Sequence, residues 1–245
     1  MPLLPFASGL EKLPNLQRLE SWPMETPASL CRFQIAGTWV YVLNLPREPE
    51  PWIVSLKAQA SAERLSRAQR YHVPKDALRC LAAEALLRHA LQELHGLTCS
   101  ELDFKQGAQG KPELRGPSHI HFNLSHSGAW VMCAMDDHPL GIDVEEIQTR
   151  QELPWASILS PQETARLGDM GSEADFYRLW SLKESYLKAL GTGFSLDPRQ
   201  FWVDLEARPI QVFQTLESKK TPEPWQLLEL PMPPGTMAAL CIQRN

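Results

Sequence analysis

The chain has 245 residues, 43% hydrophobic and 22% charged, which is enough to bury a core and too apolar for a disordered protein. Its 24 Lys and Arg residues against 29 Asp and Glu give a formal net charge of −5, without the basic excess typical of nucleic-acid-binding proteins. The longest apolar run, Ala129 to Met135, is far shorter than the about 20 residues of a membrane-spanning helix. We therefore expect no nucleic-acid partner and no membrane span.

The N-terminal segment and the cysteines favour a cytoplasmic protein. Pro2, Pro5 and Glu11 interrupt the segment in which a secretory signal would need a continuous apolar stretch. The cysteines are odd in number, scattered and never spaced as CxxC, so neither a disulfide framework nor a zinc knuckle is expected. We interpret them as reduced packing residues.

The first hundred residues predict one strand and two helices. Residues 1–36 are rich in proline and show no sustained period, so we expect a proline-rich N-terminal extension that wraps the body. Thr38–Leu45 has the β-branched and aromatic content of a strand, and a proline-rich linker follows it. Ser61 is a candidate N-cap of a helix, and a longer helix over about 75–95 follows the break at Pro74.

Charge is distributed unevenly along these elements. Residues 57–88 contain seven basic and three acidic side chains, whereas residues 136–184 contain eleven acidic and four basic ones. Arg64, Arg67 and Arg79 are placed to converge at the corner between the two predicted helices. This pattern favours a phosphorylated ligand held between a basic lobe and an acidic, metal-binding lobe.

The segment 120–146 predicts three short strands joined by tight turns. Apolar and polar residues alternate around Phe122, which is typical of a half-buried strand. The run 129–135 is apolar on both faces and predicts a central strand. The third strand places Asp143 and Glu145 on one face.

Two helices and a set of short strands complete the chain. Ser160 and Glu163 form a capping-box pattern around a first-turn proline, which is a strong helix start. A longer helix is expected over about 174–190, ending at Gly191. From residue 201 onward, four short apolar runs predict strands.

The paired carboxylates are the first candidate for chemistry. Asp143 and Glu145 are about 7 Å apart at Cα if they lie on a strand. They repel each other unless water or a cation screens them, and carboxylate oxygens are the ligands that magnesium prefers. The alternative is an ordinary solvated strand face.

The helix over 174–190 supplies the second candidate group. On a helical projection, Glu184 and Lys188 lie together just beyond the apolar arc, and burial at that edge would raise the pKa of Glu184 towards that of a general base. The alternative is an exposed i, i+4 ion pair. Lys183 falls inside the apolar arc, so it must snorkel outward or meet a carboxylate or phosphate.

Two further motifs are weak when taken alone. Gly110-Lys111-Pro112 is typical of a turn. Ser125-His126-Ser127 lacks the G-x-S-x-G elbow of a serine hydrolase, and adjacent residues rarely form a triad. His126, in a turn after a strand, is better placed to donate to a phosphate.

Taken in order, these motifs resemble the Sfp-type 4′-phosphopantetheinyl transferases. The resemblance is carried by Gly110-Lys111-Pro112, by Phe122-Asn123-Leu124-Ser125-His126-Ser127, by Gly141-Ile142-Asp143-Val144-Glu145 and by residues 180–188, WSLKESYLK. It covers roughly residues 37–245 and is strongest over 61–193.

The resemblance implies an α+β fold built from two similar αβ subdomains related by a pseudo-twofold axis, with the active site in the cleft between them. On this basis, residues 1–36 form the N-terminal extension, 37–140 the first half with the basic lobe, and 141–245 the second half with the metal and the catalytic helix. The implied state is a monomer. The implied reaction moves the phosphopantetheine arm of coenzyme A to a serine of acyl, peptidyl or aryl carrier proteins and releases adenosine 3′,5′-bisphosphate.

The resemblance also implies a role for individual side chains. Asp143, Glu145 and Glu184 would hold a magnesium ion, with manganese as an alternative. Glu184 would also deprotonate the carrier serine, directly or through water, and Lys188 would bind the phosphate under attack. The remaining contacts with coenzyme A would come from Arg64, Arg67, Arg79, Lys111, Ser125 and His126.

Two other functions are compatible with the same residues. A metal-dependent phosphohydrolase of coenzyme A or nucleotides would turn over without a carrier. A non-catalytic module that binds carriers or coenzyme A would use the carboxylates only structurally.

Overall fold

The computed structural model describes residues 10, 13, 15–19, 29–98, 104–106, 112–115, 119–149, 152–167, 171–214 and 224–244. Helices and antiparallel sheets alternate along the chain, which confirms the predicted α+β class. The described helices are α1 (Glu50–Lys57), α2 (Ala62–Ala68), α3 (Pro74–His95), α4 (Pro161–Leu167) and α5 (Glu173–Leu190). The described strands are β1 (Gln17–Arg18), β2 (Ser29–Ile35), β3 (Thr38–Asn44), β4 (Phe104–Gln106), β5 (Pro112–Leu114), β6 (His121–Ser127), β7 (Trp130–Asp136), β8 (Leu140–Glu146), β9 (Phe201–Asp204), β10 (Gln211–Gln214), β11 (Trp225–Leu230) and β12 (Thr236–Gln243).

The larger sheet has the strand order β1-β2-β3-β7-β6. β7 lies between β3 and β6, as its apolar composition predicted. Part of the segment 1–36 also belongs to this sheet, because β2 pairs along its whole length with β3. The expectation of an extension throughout 1–36 was therefore wrong for residues 29–35. Leu10, farther upstream, is buried in the core.

A second sheet has the order β11-β12-β8, so β8 does not continue the β6–β7 hairpin as a third strand. Its partner is β12, with Asp143 opposite Ala239 and Glu145 opposite Met237. The tight turn after β7 carries the chain into the other sheet. The interpretation of residues 120–146 as three strands was thus correct, and the third of them belongs to a different sheet from the first two.

The two sheets pack face to face between α3 and α5. Alternate residues of β7, including Cys133, face a core shared with α3, whereas Met132 and Ala134 face the second sheet. In β8, Ile142 and Val144 contact the first sheet. The intervening residues of β8, among them both carboxylates of the sequence motif, therefore face α5.

Side chains of β6 bond to the backbone of β8 at the junction between the sheets. Asn123 Oδ1 accepts from the N–H of Ile142 at 2.9 Å, and Ser125 Oγ accepts from the N–H of Val144 at 3.2 Å. The polar face of β6 predicted from the sequence is thus the face that meets β8. These side chains accept from N–H groups of β8 on the edge of that strand that does not pair with β12.

The helix boundaries follow local signals closely. Ser61 caps α2, Gly96 ends α3 and Gly191 ends α5, both glycines in the left-handed conformation. One helix was not predicted: α1 begins inside the proline-rich linker, where a first-turn proline is compatible with a helix. Across the described part of the chain, no helix has the length and hydropathy needed to cross a bilayer.

Four of the five cysteines lie in the described residues, and all four are buried thiols that form no disulfide within that part of the chain. Their burial agrees with the interpretation of these four as packing residues, and their reduced state stays a prediction. They are Cys31, Cys80, Cys133 and Cys241.

Candidate active site

The close approach of α5 to β8 builds the site. Gly141 permits it, because a Cβ at this position would lie 2.1 Å from the backbone oxygen of Ser185 and 2.4 Å from the backbone nitrogen of Ala189. Any side chain here would push the helix away. The glycine two residues before Asp143 therefore brings the polar edge of α5 against the carboxylates of β8.

Asp143 is the most deeply buried of the three acidic residues, with a side chain only 3% exposed. Its Oδ1 lies 2.6 Å from Nζ of Lys188 and accepts from Ser125 Oγ at 3.0 Å. Its Oδ2 is buried and has no hydrogen-bond partner among the described residues. Burial raises the pKa of Asp143, and the ammonium of Lys188 opposes that shift. One acceptor oxygen is thus left for a further cation or donor.

Glu145 is held at both oxygens. Ser127 Oγ lies 2.9 Å from its Oε2, and the indole N–H of Trp180 donates to Oε1 at 3.3 Å. Burial and the neighbouring charge of Asp143 raise the pKa of Glu145. The side chain therefore points to α5 beside Asp143.

Glu184 completes the acidic group from the helix side. Burial raises its pKa to about 7, and repulsion from Asp143 and Glu145 adds to this shift while the charge of Lys188 opposes it. A carboxyl with a pKa near neutrality exchanges protons readily at the pH of the cell. Glu184 and Lys188 of α5 are thus close enough to Asp143 and Glu145 of β8 for their charges to affect one another.

These residues fit a divalent cation. Carboxylate oxygens are its preferred ligands, Asp143 Oδ2 is an unused buried acceptor, and a cation would relieve the repulsion among the three carboxylates. Within the described residues, no set of three or more His, Cys, Asp and Glu side chains already has the arrangement of a metal site. The ammonium of Lys188 instead lies beside Asp143.

Positive charge gathers on the other side of the same site. The imidazole of His126, although exposed, is crowded by protein and by the charges of Arg79, Lys188 and Arg67, which together lower its pKa to about 4. Arg79 also donates to the backbone oxygen of Gly128 at 2.8 Å, which ties α3 to the β6–β7 turn. A neutral imidazole among three cations is suited to binding an anion such as a phosphate.

One predicted ligand-binding residue, Arg64, makes its observed contacts away from this cluster. Arg64 lies against Glu84, with Nε 3.3 Å from a carboxylate that also binds Arg88 and the cap of α2. Its observed contacts are therefore those of a buried structural ion pair at the α2–α3 corner. Lys111 lies outside the described residues.

Ser125 was predicted to bind coenzyme A, and its hydroxyl is instead directed inward. It donates to Asp143, accepts from the N–H of Val144, and lies 3.0 Å from Nζ of Lys188. A serine hydroxyl offers one donor and two acceptor positions, so these three contacts use all of them.

Sequence reasoning missed Gly141, Ser127 and Trp180 as contributors to the site. All three belong to the quoted motifs, but their roles depend on contacts between elements. The period-2 pattern of β6 does place Ser127 on the same face as Ser125, which was the available signal.

Lys183 is buried and has the partners that a buried ammonium was expected to need. Its Nζ lies 2.7 Å from Glu163 Oε2 and donates to the backbone oxygens of Pro198 and Phe201. Glu163 also forms the predicted capping box with Ser160. This ion pair anchors α5 to α4 on the side of the helix away from the site.

Comparison with known proteins gives a consistent result along the chain. Residues 46–138 match the family model "4′-phosphopantetheinyl transferase, N-terminal", and residues 139–241 match the "4′-phosphopantetheinyl transferase superfamily".

Individual proteins similar to this chain carry the same family name. A transferase of this name, psf-1 of Bacillus pumilus, is 39% identical over 146 residues, which cover 58% of this chain and 63% of that protein. Sfp of Bacillus subtilis is 33% identical over 184 residues, covering 74% and 81% respectively. HetI of a Nostoc species is 30% identical over 214 residues, covering 83% and 87%. With both halves matched and most of two relatives covered, the chain belongs to the 4′-phosphopantetheinyl transferase family of enzymes.

Proposed function

We propose that this protein transfers the 4′-phosphopantetheine arm of coenzyme A to a serine of an apo carrier protein and releases adenosine 3′,5′-bisphosphate. The observation that carries the proposal is Glu184, a carboxyl with a pKa raised to about 7, beside Lys188 and facing Asp143 and Glu145. The family membership of the chain supports the same reaction.

The chemistry requires a base and a cation at one phosphorus atom. The serine Oγ of the carrier forms a new bond to the pantetheine-bearing phosphorus of coenzyme A, while the bond to the bridging oxygen of the pyrophosphate breaks. Glu184 takes the serine proton, directly or through water, and the electron pair of the broken bond leaves with adenosine 3′,5′-bisphosphate. The ammonium of Lys188 stabilises the charge that builds on the phosphoryl oxygens.

A magnesium or manganese ion belongs to this proposal. Asp143, Glu145 and Glu184 would hold it, and it would neutralise charge on the pyrophosphate oxygens. Asp143 Oδ2, buried and without a partner among the described side chains and backbone, supports this assignment. Lys188, whose ammonium lies beside Asp143, would bind the substrate phosphate next to that ion.

The nucleotide end of coenzyme A would lie against the cations of the first half. We propose that its 3′-phosphate is bound by Arg67, Arg79 and neutral His126. The charges of both arginines act on the His126 imidazole, so these three side chains share one region of the site. Arg64, Lys111 and Ser125 stay predictions for this role, and acyl, peptidyl and aryl carrier proteins stay predicted partners. A monomeric state and a cytoplasmic location also stay predictions.

Intact mass of an apo carrier tests the proposal. Incubation with coenzyme A and magnesium should add one phosphopantetheine group, and Glu184→Gln should lower the rate by about 100-fold or more, the contribution typical of a general base. Coenzyme A affinity should be retained in this variant. No mass addition with any divalent metal would refute the proposal, and consumption of coenzyme A without a carrier would point to a phosphohydrolase instead.

A further inference from the structure

The junction between the two sheets is formed by three alternate residues of β6. Asn123, Ser125 and Ser127 each accept a hydrogen bond from a backbone N–H of β8, at Ile142, Val144 and Glu146 respectively, over distances of 2.9 to 3.2 Å. Two of the three hydroxyl or amide groups also contact an acidic side chain of β8. The junction is therefore continuous with the acidic site.

The contact between Ser127 and Glu145 has no role in the proposed reaction as described above. Its hydroxyl accepts from the N–H of Glu146 at 3.1 Å and donates to Glu145 Oε2 at 2.9 Å. The other oxygen of Glu145 accepts from Trp180. The two donors come from different elements, β6 and α5, so the carboxylate is oriented from both sides.

We propose that Ser127 is a positioning residue, which orients Glu145 for metal binding and thereby makes the metal site depend on the alignment of the two sheets. The inference rests on the proposed function for the identity of the bound group. Ser127 itself is not a ligand in this arrangement. It acts through Glu145, as hydrogen-bonding partners of metal ligands generally do.

The chemistry of the contact supports an orienting role. The bond that Ser127 Oγ accepts from the backbone N–H of Glu146 fixes the position of this oxygen, and its hydrogen is then free to turn to the nearest acceptor. In Ser127 the hydrogen points to Oε2 of Glu145, which leaves the remaining lone pairs of the carboxylate for a cation. Removal of the hydroxyl frees Glu145 to rotate about its side-chain bonds and leaves only Trp180 to hold it.

Manganese binding tests the inference without requiring catalysis. The protein with coenzyme A present is titrated with Mn²⁺, and free Mn²⁺ is measured by electron paramagnetic resonance. Ser127→Ala should weaken Mn²⁺ binding by about 10-fold or more, the effect typical of losing a partner of a metal ligand. Ser127→Thr retains the hydroxyl and should restore most of the affinity.

Ser185→Ala is the matched control. Ser185 is buried on α5 next to Glu184, but the hydrogen bond that its hydroxyl makes among the described residues stays within the helix, to the backbone oxygen of Leu182 at 2.8 Å. The control should bind Mn²⁺ as the wild type does. Carrier loading at varied Mg²⁺ provides a second readout: Ser127→Ala should need more Mg²⁺, whereas a purely structural loss would lower the rate equally at all Mg²⁺ concentrations.

The outcomes separate the two proposals. Wild-type Mn²⁺ affinity in Ser127→Ala, equal weakening in Ser185→Ala, or no recovery in Ser127→Thr would overturn the role of Ser127. If the alanine variant does not fold, Ser127→Cys keeps the volume with a weaker hydrogen bond and gives the same decision. A wild-type protein that binds Mn²⁺ but never loads a carrier would refute the proposed function and leave the positioning role to be decided by the Mn²⁺ titrations.

Discussion

Replacement of Gly141 by alanine should damage activity more than stability. The added methyl group would lie 2.1 Å from the backbone oxygen of Ser185 and 2.4 Å from the backbone nitrogen of Ala189, and neither backbone atom can turn aside as a flexible side chain would. Relief of the contact requires α5 to retreat by about 1 Å, and a misplacement of that size at catalytic groups costs about 100-fold in rate. Overpacking of this kind costs about 1–3 kcal/mol of folding free energy, or roughly 5 °C in Tm for a chain of this length.

The assay combines carrier loading with thermal unfolding. Gly37→Ala is the control, because that glycine has a φ of +87° but, apart from its chain neighbours, no described residue has an atom within 4 Å of the position that the new methyl group would take. It should lose about 1 kcal/mol through backbone strain and keep its activity. Wild-type activity and Tm in Gly141→Ala would refute the argument that this glycine sets the distance between α5 and β8.

Three further predictions concern charge. The pKa of Glu184 is raised from its ordinary 4.5 to about 7. Between these two pH values the folded protein without metal keeps a proton that the unfolded chain releases. The free energy of unfolding therefore falls as the pH rises from 4.5 to about 7. Glu184→Gln should therefore be more stable than the wild type at pH 8, by at most about 3 kcal/mol, and equally stable near pH 4; a constant Tm difference across this range would contradict the shift. Lys183→Met leaves the buried carboxylate of Glu163 without its cation and should cost about 3–5 kcal/mol in denaturant unfolding, and a wild-type midpoint would show that the pair is dispensable. Arg64→Met removes a partner of Glu84 and should lower Tm, whereas the exposed Arg67→Met should raise the KM for coenzyme A at unchanged Tm; an unchanged Tm in Arg64→Met would contradict its structural role, and a raised KM in that variant would support its predicted contact with coenzyme A.

Local signals in the sequence predicted most of the elements. Ser61 and Gly191 marked helix ends correctly, because capping depends on backbone groups within a few residues of the cap. The exceptions had a local reason as well. β2 lies in a proline-rich segment in which no sustained strand or helix period was recognised. α1 begins at a proline, which is tolerated in the first turn of a helix.

Strand pairing was beyond local reasoning. β8 follows β7 after a tight turn, yet it pairs with β12, almost one hundred residues later. Alternation identifies the two faces of a strand but carries no information about which strand binds its edge. That choice depends on how the whole chain buries its apolar faces.

The sequence by itself determined which residue types are present, their spacing on each strand and helix, and the family to which the order of the motifs belongs. Only the tertiary structure decided that Asp143, Glu145 and Glu184 act on one another, that Arg64 is engaged by a buried carboxylate, and that Ser127 bonds to Glu145. The physical reason is that periodicity and capping arise from contacts within a few residues, whereas burial, pKa shifts and hydrogen bonds between sheets depend on groups that packing brings together from distant parts of the chain.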